Sequence, residues 1–493
     1  MRLSLSAAAL SALALGSLAA APASAQRGAT TPPNQAASAR VPAAQTGSVL
    51  IRGATVLTVT RGTLANTDVL VRDGKIAAVG TGLTAPRGVE VVEAAGMFVM
   101  PGIIDAHSHV ASASVNEATS PVTAEVQQED VIDPYDVGIY RALAGGVTVS
   151  HVMHGSANAI GGQNETIKHR WGTRDPDGLK MEGAVRTIKF ALGENPTRVH
   201  GRGAGVRPAT RMGVEQVIRD AFEEARRYEA AKTRAAGSNG RITPPAYSLR
   251  METLGDILAG EVLIHCHSYR ADEILMLMNV LRDFGVSRVV FQHANEAFKV
   301  APELAAFGRG ASGTAGFAMA SVFADWWAYK FEVYYSTAYN AAILTRNGVT
   351  TSINSDSGEL IRHLYHEAAK TQRYGGLTDD EALTLITMNP ARQLGIDARV
   401  GSIEVGKDAD LVLFQNHPLS VYSIPMRTYV DGVARFDRER DGDDVRLYAD
   451  PTERVDTATI YEHDHSACMN GTWIMDFLQA AREREWSGEA AGE

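Results

Sequence analysis

The feature that most constrains the fold is residues 100–109, where an apolar, strand-like run ends in two histidines. His107 and His109 are two positions apart, and residues at i and i+2 of an extended strand point to the same face. Both imidazoles can therefore reach one ion, and histidine is the commonest side-chain metal ligand at neutral pH. The segment predicts a metal site at a strand end, although two exposed histidines there would also fit these residues.

Later strand-like runs end in the same kinds of side chain. They lead into His265 and His267, into His293, and into Asp356. In a (β/α)₈ barrel the carboxyl ends of the strands carry the active site, so side chains that follow different strands meet there. Imidazole and carboxylate are the ligands of a catalytic Zn²⁺-like ion. The recurrence of these residues in order predicts one metal centre supplied by several strands.

Lys189 closes another candidate strand, residues 187–190. One interpretation is an ion pair or a solvent-facing end of the strand. The other is a lysine that has taken up carbon dioxide, because a carbamate is an oxygen donor able to bridge two cations. The residues alone leave both open.

Strands and helices alternate from residue 101 to residue 398, which indicates a parallel sheet of βα units, open or closed. Helices are predicted near residues 215–232 and 271–284. β patterns occupy residues 48–100 and return over residues 399–440, so both segments can form one small domain. The predicted strands of the α/β region are residues 103–106, 147–152, 187–191, 261–264, 288–292, 314–318 and 349–353.

The two ends of the chain differ in composition from the rest. Residues 1–25 have an early arginine, an Ala/Leu-rich run and the small-residue site Ala-Ser-Ala, which predict a secretory signal rather than a membrane anchor. Residues 26–47 are an Ala/Pro/Gln/Ser/Thr-rich, flexible leader, and residues 441–493 are a charged peripheral tail. We therefore expect an exported protein, periplasmic or secreted. No later segment predicts stable insertion in a membrane after signal removal.

Charge and cysteine usage narrow the class of protein further. The net charge of −10 gives no electrostatic support for binding nucleic acid. Two cysteines, Cys266 and Cys468, make no disulfide framework, although they could pair. We interpret Cys266 as a small buried residue rather than a nucleophile.

These motifs together resemble the amidohydrolase superfamily, in its imidazolonepropionase-like and prolidase-like branch. The resemblance covers residues 48–437 and implies an α/β fold: a distorted TIM (β/α)₈ barrel with a small β-sandwich formed by both chain ends. The residues that carry it are the strand-end histidines and the segments 101–109, 156–163, 354–357, 367–370, 389–391 and 401–410.

The resemblance also implies a ligand set with one or two divalent ions, most often Zn²⁺. His107 and His109 would bind the more buried metal, and Asp356 would complete that site. His265 and His293 would hold a second metal, with His265 favoured over His267 because it ends the strand directly. An N-carboxylated Lys189 would bridge the two ions, whereas in one-metal members the lysine is unmodified.

The expected reaction is hydrolysis of a carbon–nitrogen bond by a metal-activated hydroxide. Asp356 would carry the proton from water to the leaving nitrogen, unless it is a ligand alone. His267 or His293 would stabilise the oxyanion. The expected substrates are small or peptide-like, namely dipeptides or N-acyl amino acids. A deaminase, a cyclic-amide (imidazolone or lactam) hydrolase, a catalytically inactive binding protein and a homo-oligomer all remain open.

The sequence predicts the substrate pocket less clearly than the metal site. The aromatic cluster of residues 325–335 predicts either packing of a barrel-edge helix or an aromatic wall of the site. His151 and His154 are expected to be structural or to support the ligands from outside. The arginines that punctuate the loop after Lys189 predict a solvated loop or, alternatively, a clamp for a substrate carboxylate; they are Arg198, Arg202, Arg207 and Arg211.

Overall fold

A computed structural model describes residues 47–309, 317–326 and 329–439 of the chain. The predicted signal segment, the leader before residue 47, the tail and Cys468 lie outside the described residues. Within the described part, no helix combines the length and the apolar character that a membrane span needs.

A small sheet is built from both ends of the described chain. Five of its strands precede the barrel and three follow it, in the order β16-β15-β14-β5-β1-β2-β3 with β4 beside β1. Asp73 and Gly74, with φ angles of 50° and 77°, form the predicted hairpin turn. The strands are β1 (Val49–Leu57), β2 (Thr63–Arg72), β3 (Lys75–Gly80), β4 (Glu90–Glu93), β5 (Phe98–Pro101), β14 (Leu411–Phe414), β15 (Pro425–Val430) and β16 (Val433–Asp437).

The second sheet is a nearly closed barrel whose strands follow one another in chain order, from β6 to β13. Its strands are short, apolar runs buried on both faces, as expected for a sheet covered by helices. They are β6 (Ile103–Ser108), β7 (Val147–Val152), β8 (Ile160–Lys168), β9 (Thr187–Ala191), β10 (Leu263–Ser268), β11 (Arg288–His293), β12 (Phe317–Val322) and β13 (Thr350–Ile353).

Strand β8 is the main distortion of the barrel. It pairs antiparallel with both β7 and β9, whereas the other neighbouring strands of this sheet pair in parallel. The sequence did not predict β8, because Gly161 and Gly162 interrupt its pattern as a turn would. A side chain at Gly161 would meet the ring of His154, since a Cβ atom would lie 2.6 Å from Nδ1. The glycines therefore allow a strand to pass close to a histidine.

Two parallel strands run further than predicted. β10 includes His265 and His267, and β12 continues to Val322. The cause is pairing with neighbours: His265 lies opposite Lys189 on β9 and opposite Val290 on β11. Tertiary ladders thus extend strands over residues of low β propensity.

Helices connect most of the barrel strands and cover the outside of the sheet. The helix predicted near 271–284 has those bounds, and the one predicted near 215–232 lies within a longer helix. Thr378 and Glu381 form the predicted capping box. The α-helices of six or more residues are α1 (Val137–Ala144), α2 (Arg211–Ala236), α3 (Leu249–Ala259), α4 (Ala271–Phe284), α5 (Ala301–Arg309), α6 (Asn340–Arg346), α7 (Leu364–Gly375), α8 (Asp379–Thr384) and α9 (Met388–Gln393), and a π-helix spans Thr197–Ala204.

The first and last barrel strands approach one another at their carboxyl ends. The backbone N–H of Asp356 donates to the carbonyl of His107 at 3.0 Å. The α/β barrel with a separate β domain from both chain ends confirms the predicted fold class, and its closure brings two predicted site residues together.

Candidate metal centre

His107 and His109 enter the barrel from the end of β6, and each is held by a hydrogen bond from Nδ1. His107 Nδ1 lies 3.2 Å from the Oε1 of Gln292, and His109 Nδ1 lies 2.9 Å from the backbone oxygen of Met153. Amide and peptide oxygens only accept, so Nδ1 of each ring is the donor. In the neutral rings Nε2 therefore carries a lone pair, and these two atoms are the available ligand atoms.

Asp356 follows β13 in a left-handed conformation, with φ of 46°. Its Oδ1 lies 3.0 Å from Nε2 of His109 and 3.3 Å from Nε2 of His107, and its Oδ2 lies 3.4 Å from Nε2 of His293. The carboxylate is fully buried between the three histidines. The positive φ, which a non-glycine residue seldom adopts, aims it into the centre of the barrel mouth.

His293 is the last residue of β11 and also has a positive φ, 65°. Its ring stacks on the ring of His107, with centroids 4.7 Å apart. One ligand atom each from His107, His293 and Asp356 lie within 4.8 Å of one another, which is a spacing that one metal ion can bridge. Neither ring nitrogen of His293 has a hydrogen-bond partner among the described residues.

The donor set fits a divalent cation. Burial lowers the pKa of His293 to about 3 and holds the pKa of His107 well below its usual value, so both rings are neutral at pH 7. Lone pairs of these two neutral imidazoles then face the carboxylate oxygens of Asp356, and acceptors that approach within 3.3–3.4 Å need a cation or a proton between them. Metal ligation supplies that cation, and imidazole with carboxylate suits Zn²⁺.

Strand β10 offers two histidines in different surroundings. His265 is engaged, because its Nδ1 accepts from the Nε2 of Gln292 at 2.9 Å and its ring lies 4.4 Å from that of His151. His267 has no hydrogen-bond partner for either ring nitrogen within the described chain, and its ring lies 4.9 Å from that of His293. The geometry thus brings His267 beside His293, and the choice between His265 and His267 as a ligand stays a prediction.

Lys189 on β9 reaches the same cluster from the opposite side. Its Nζ donates to Nε2 of His107 at 2.9 Å, and the side chain is fully buried. The lysine is therefore within reach of the ligands, as the sequence predicted. Its carbamylation stays a prediction.

Asp105 was missed by the sequence reasoning, although a carboxylate within an apolar strand is a visible signal. It accepts from the backbone N–H and the hydroxyl of Ser355 and from the N–H of His107. Burial raises its pKa to about 7 despite these hydrogen bonds. Asp105 ties β6 to the residue before Asp356, so it sets the distance between ligands from opposite ends of the sheet.

An aromatic wall covers one side of the cluster. Phe323 stacks on His293 at 4.7 Å between centroids, and Tyr269 stacks on the same ring at 5.4 Å. Trp326 packs edge-on against Phe323 at 5.0 Å, and Tyr329 shares a hydrogen bond of 2.8 Å with the hydroxyl of Tyr269. Of the predicted aromatic cluster, Trp326 and Tyr329 thus belong to the surroundings of the site.

A buried lysine lies behind this wall. Lys330 Nζ is 3.9 Å from the centre of the Tyr269 ring, and it donates to Asn195 at 2.9 Å. Glu332 lies 3.3 Å from the same nitrogen. Lys330 was not singled out from the sequence, because nothing in residues 325–335 distinguishes it from a surface lysine.

The predicted arginines do not converge on the metal ligands. Arg207 pairs with Asp220 at an exposed position, and Arg198 lies 3.5 Å from Glu194. Arg211 reaches inward to Glu332 at 2.6 Å, and so it adjoins Lys330. The side chain of Arg202 lies outside the described part of the structure.

The remaining predicted residues have supporting positions. Cys266 is buried, and burial raises the pKa of its thiol well above the usual value, which is consistent with a small buried residue. His151 bonds Thr187 at 2.7 Å, and His154 accepts from the N–H of Glu117 at 2.9 Å. Both histidines are buried outside the ligand cluster.

Comparison with known proteins agrees with this geometry. The model of the amidohydrolase family matches residues 333–439. The amidohydrolase tasK of Hapsidospora irregularis is 33% identical over 426 residues, which are 80% of this chain and 42% of that protein. A dihydroorotase of Citrifermentans bemidjiense is 43% identical over 63 residues, 13% of this chain and 15% of that protein. The chain therefore spans less than half the length of these curated relatives.

A crystal structure of an amidohydrolase from Thermotoga maritima MSB8 matches with a TM-score of 0.72 and 35% identity. The match covers 79% of this chain and 100% of that one. A likeness of this extent, with the barrel and the strand-end ligands described above, shows that the chain belongs to the amidohydrolase superfamily.

Proposed function

We propose that this amidohydrolase-superfamily hydrolase is metal-dependent and cleaves a carbon–nitrogen amide bond in small or peptide-like substrates. The observation that carries the proposal is the convergence of neutral imidazole nitrogens and one carboxylate at the barrel mouth. His107, His109 and His293 surround Asp356 within 3.4 Å of its oxygens.

The residues that would hold the metal are His107, His109, Asp356, His293 and His267. His267 replaces His265 in this set, because both of its ring nitrogens lack a partner among the described residues, whereas Nδ1 of His265 accepts from Gln292. A bound divalent ion lowers the pKa of water from about 16 to about 7 and polarises the scissile carbonyl. One ion or two, and Zn²⁺ as its identity, belong to the same proposal.

Asp356 is the residue suited to moving the proton. Its carboxylate lies at the centre of the cluster and, in the ionised form, only accepts. It can take the proton of the attacking water and deliver it to the leaving nitrogen, because the two steps are sequential. A protonated ring nitrogen of His267 or His293 can then donate to the oxyanion.

Lys330 supports a substrate that carries a carboxylate, such as a dipeptide or an N-acyl amino acid. Its ammonium lies against Tyr269, which itself stacks on His293, and so a cation is buried next to the site. The aromatic wall supports an apolar or aryl side chain on the substrate.

Lys330→Met tests this substrate class. We expect KM to rise for an N-acyl amino acid but to stay unchanged for its carboxamide. Lys299→Met is the matched control, because Lys299 also pairs with a glutamate, Glu296, but its side chain is 36% exposed. Equal KM values for both variants on both substrates would remove Lys330 from substrate recognition.

The decisive experiment combines metal analysis with a substrate panel. Protein purified without chelators is analysed for metal content and assayed on dipeptides, N-acyl amino acids, lactams and aminated heterocycles. We expect bound divalent metal and a new carboxylate from the first two classes. Absence of metal, or no cleavage of any C–N bond by metal-replete protein, would refute the proposal.

Cyclic amides are the second candidate class, supported by the similarity of a 63-residue segment to the dihydroorotase. Ring opening of a lactam, with no cleavage of linear substrates, would favour it. Ammonia release from a heterocycle without a new carboxylate would instead indicate a deaminase.

Export and lysine modification complete the proposal. We expect the mature chain to begin after Ala25 and to appear in the periplasm or the medium, which N-terminal sequencing of fractionated cells tests. A carbon dioxide adduct at Lys189, seen by native mass spectrometry together with two ions per chain, would establish the bridged form.

A further inference from the structure

Gln292 connects two histidines that the sequence presents as alternative ligands. It precedes His293 on β11, and its side chain is fully buried between His107 and His265. Its Oε1 lies 3.2 Å from Nδ1 of His107, and its Nε2 lies 2.9 Å from Nδ1 of His265. The same Nε2 lies 3.3 Å from the carbonyl oxygen of Ala106.

These contacts fix which atoms donate. The Ala106 carbonyl can only accept, and so it identifies the amide nitrogen of Gln292 as the atom facing His265. Nδ1 of His265 then accepts, while Nδ1 of His107 donates to the amide oxygen. Hydrogen bonds are thus donated in one direction, from His107 to Gln292 and from Gln292 to His265.

The acceptor role of Nδ1 also decides where His265 carries its own proton. In a neutral imidazole one ring nitrogen donates and the other accepts, so the proton of His265 belongs on Nε2. His265 then has no lone pair left for a metal. Lys189 lies at the other end of this series of hydrogen bonds, where its Nζ donates to Nε2 of His107.

We propose that Gln292 and His265 are positioning residues that act through His107: they hold its proton on Nδ1 and so present Nε2 to the metal. The inference rests on the proposed metal site. It assigns His265 to the support of a ligand rather than to ligation. Partners of this kind, when removed, weaken metal affinity by about 10–100-fold.

Metal affinity of the full-length protein, measured with a competing chelator, tests the roles. Gln292→Met keeps the size of the side chain but removes both hydrogen bonds, so we expect affinity to fall about 10–100-fold. His265→Leu should cause a similar loss. His265→Gln retains an acceptor for the amide of Gln292 and should keep affinity close to that of the unchanged protein. His107→Gln marks the loss caused by removal of a ligand.

Several outcomes would overturn the proposal. If His265→Gln loses metal as completely as His107→Gln, then His265 is a ligand. If Gln292→Met or His265→Leu keeps full metal affinity, then the hydrogen bonds through Gln292 do not position His107. Failure of the unchanged protein to bind metal would instead refute the proposed function.

A measurement without substitutions covers the case in which a variant does not fold. ¹⁵N spectra of histidine side chains in metal-stripped, unchanged protein report the tautomers directly. We expect a protonated Nδ1 on His107 and an unprotonated Nδ1 on His265. The reverse pattern on either ring would overturn the assignment.

Discussion

The two ends of the barrel each bury a cluster of polar side chains, and the clusters differ in how they are satisfied. At the carboxyl end, His107, His109 and His293 face the carboxylate oxygens of Asp356. At the other end, Lys168 on the reversed strand β8 meets Asp408, Asp410 and Asp431 of the small domain. We call the second group the junction cluster.

The junction cluster supplies its own counter-charges. Lys168 Nζ lies 2.7 Å from Asp408 and 3.1 Å from Asp410. Arg399 also pairs with Asp408 at 2.8 Å, and Arg170 pairs with Asp431 at 2.7 Å. Every carboxylate in this cluster thus has a cationic partner from the chain itself, which is what a structural ion network requires.

The difference separates structural burial from functional burial. Buried carboxylates with several cationic partners hold two domains together, whereas imidazole nitrogens and a carboxylate that converge on one point suit a bound metal ion. The following experiments address each end in turn.

The largest effect is expected from Asp356→Asn. The amide cannot take a proton from water, so kcat on the best substrate of the panel should fall about 10³-fold, within the usual range for loss of a general base. The far-UV circular dichroism spectrum should be nearly unchanged. Asp325→Asn, at a partly exposed carboxylate paired with Lys370, is the control and should retain activity. Retained turnover in Asp356→Asn would contradict the role of Asp356.

Lys168→Met tests the contribution of the junction cluster to stability. It leaves buried carboxylates without their central cation, so the free energy of unfolding should fall by about 3–5 kcal/mol, measured by urea denaturation. Lys75→Met is the matched control, because Lys75 pairs with the same Asp408 but its side chain is 51% exposed. A loss below about 1 kcal/mol is expected for the control. Equal losses for both variants would show that burial does not distinguish these lysines.

Metal removal should affect the stability of the carboxyl end of the barrel, where the candidate metal centre lies, and not the junction cluster. A metal ion whose free concentration is about 100 times its dissociation constant adds about 2.7 kcal/mol to the stability of the folded state. A chelator should therefore lower Tm. The same shift should occur in Lys75→Met. It should largely disappear in His107→Gln, which lacks a ligand. A Tm that changes neither with chelator nor with added metal would contradict the proposed metal centre.

Acid should weaken the junction cluster by a smaller amount. Burial by itself would raise the pKa of Asp408, but Lys168, Lys75 and Arg399 together lower it to about 2, from 3.8. A lowered pKa contributes stability above the unfolded value, and that stability is lost as the pH falls from about 4 to about 2. The urea midpoint should decline over this interval. The Asp408→Asn variant should show a shallower decline, and an identical slope would contradict the linkage.

The sequence predicted the convergence of the candidate ligands better than their surroundings. His107, His109, His293 and Asp356 could be found because each follows an apolar strand, and parallel strands bring their carboxyl ends together. The barrel and the small domain followed from alternation and from β patterns at both ends. These predictions depend on periodicity, which is a local property of the chain.

What the sequence did not predict depends on contacts between distant segments. Strand β8 was hidden by its glycines, and its direction is set by pairing with β7 and β9. The choice between His265 and His267 depends on Gln292, whose spacing in sequence carries no signal of its role. Lys168 lies more than 200 positions before its partners, so no local pattern connects them.

The reversed strand also has a consequence for synthesis on the ribosome. Lys168 emerges long before residues 408–431 and, until they arrive, has no Asp408, Asp410 or Asp431 to neutralise it. A lone ammonium cannot remain in an apolar interior, so this part of the nascent barrel has to stay open to water. Maturation of the amino-terminal half should therefore wait for the final strands, and prematurely terminated chains should be substrates for chaperones and proteases rather than smaller folded proteins.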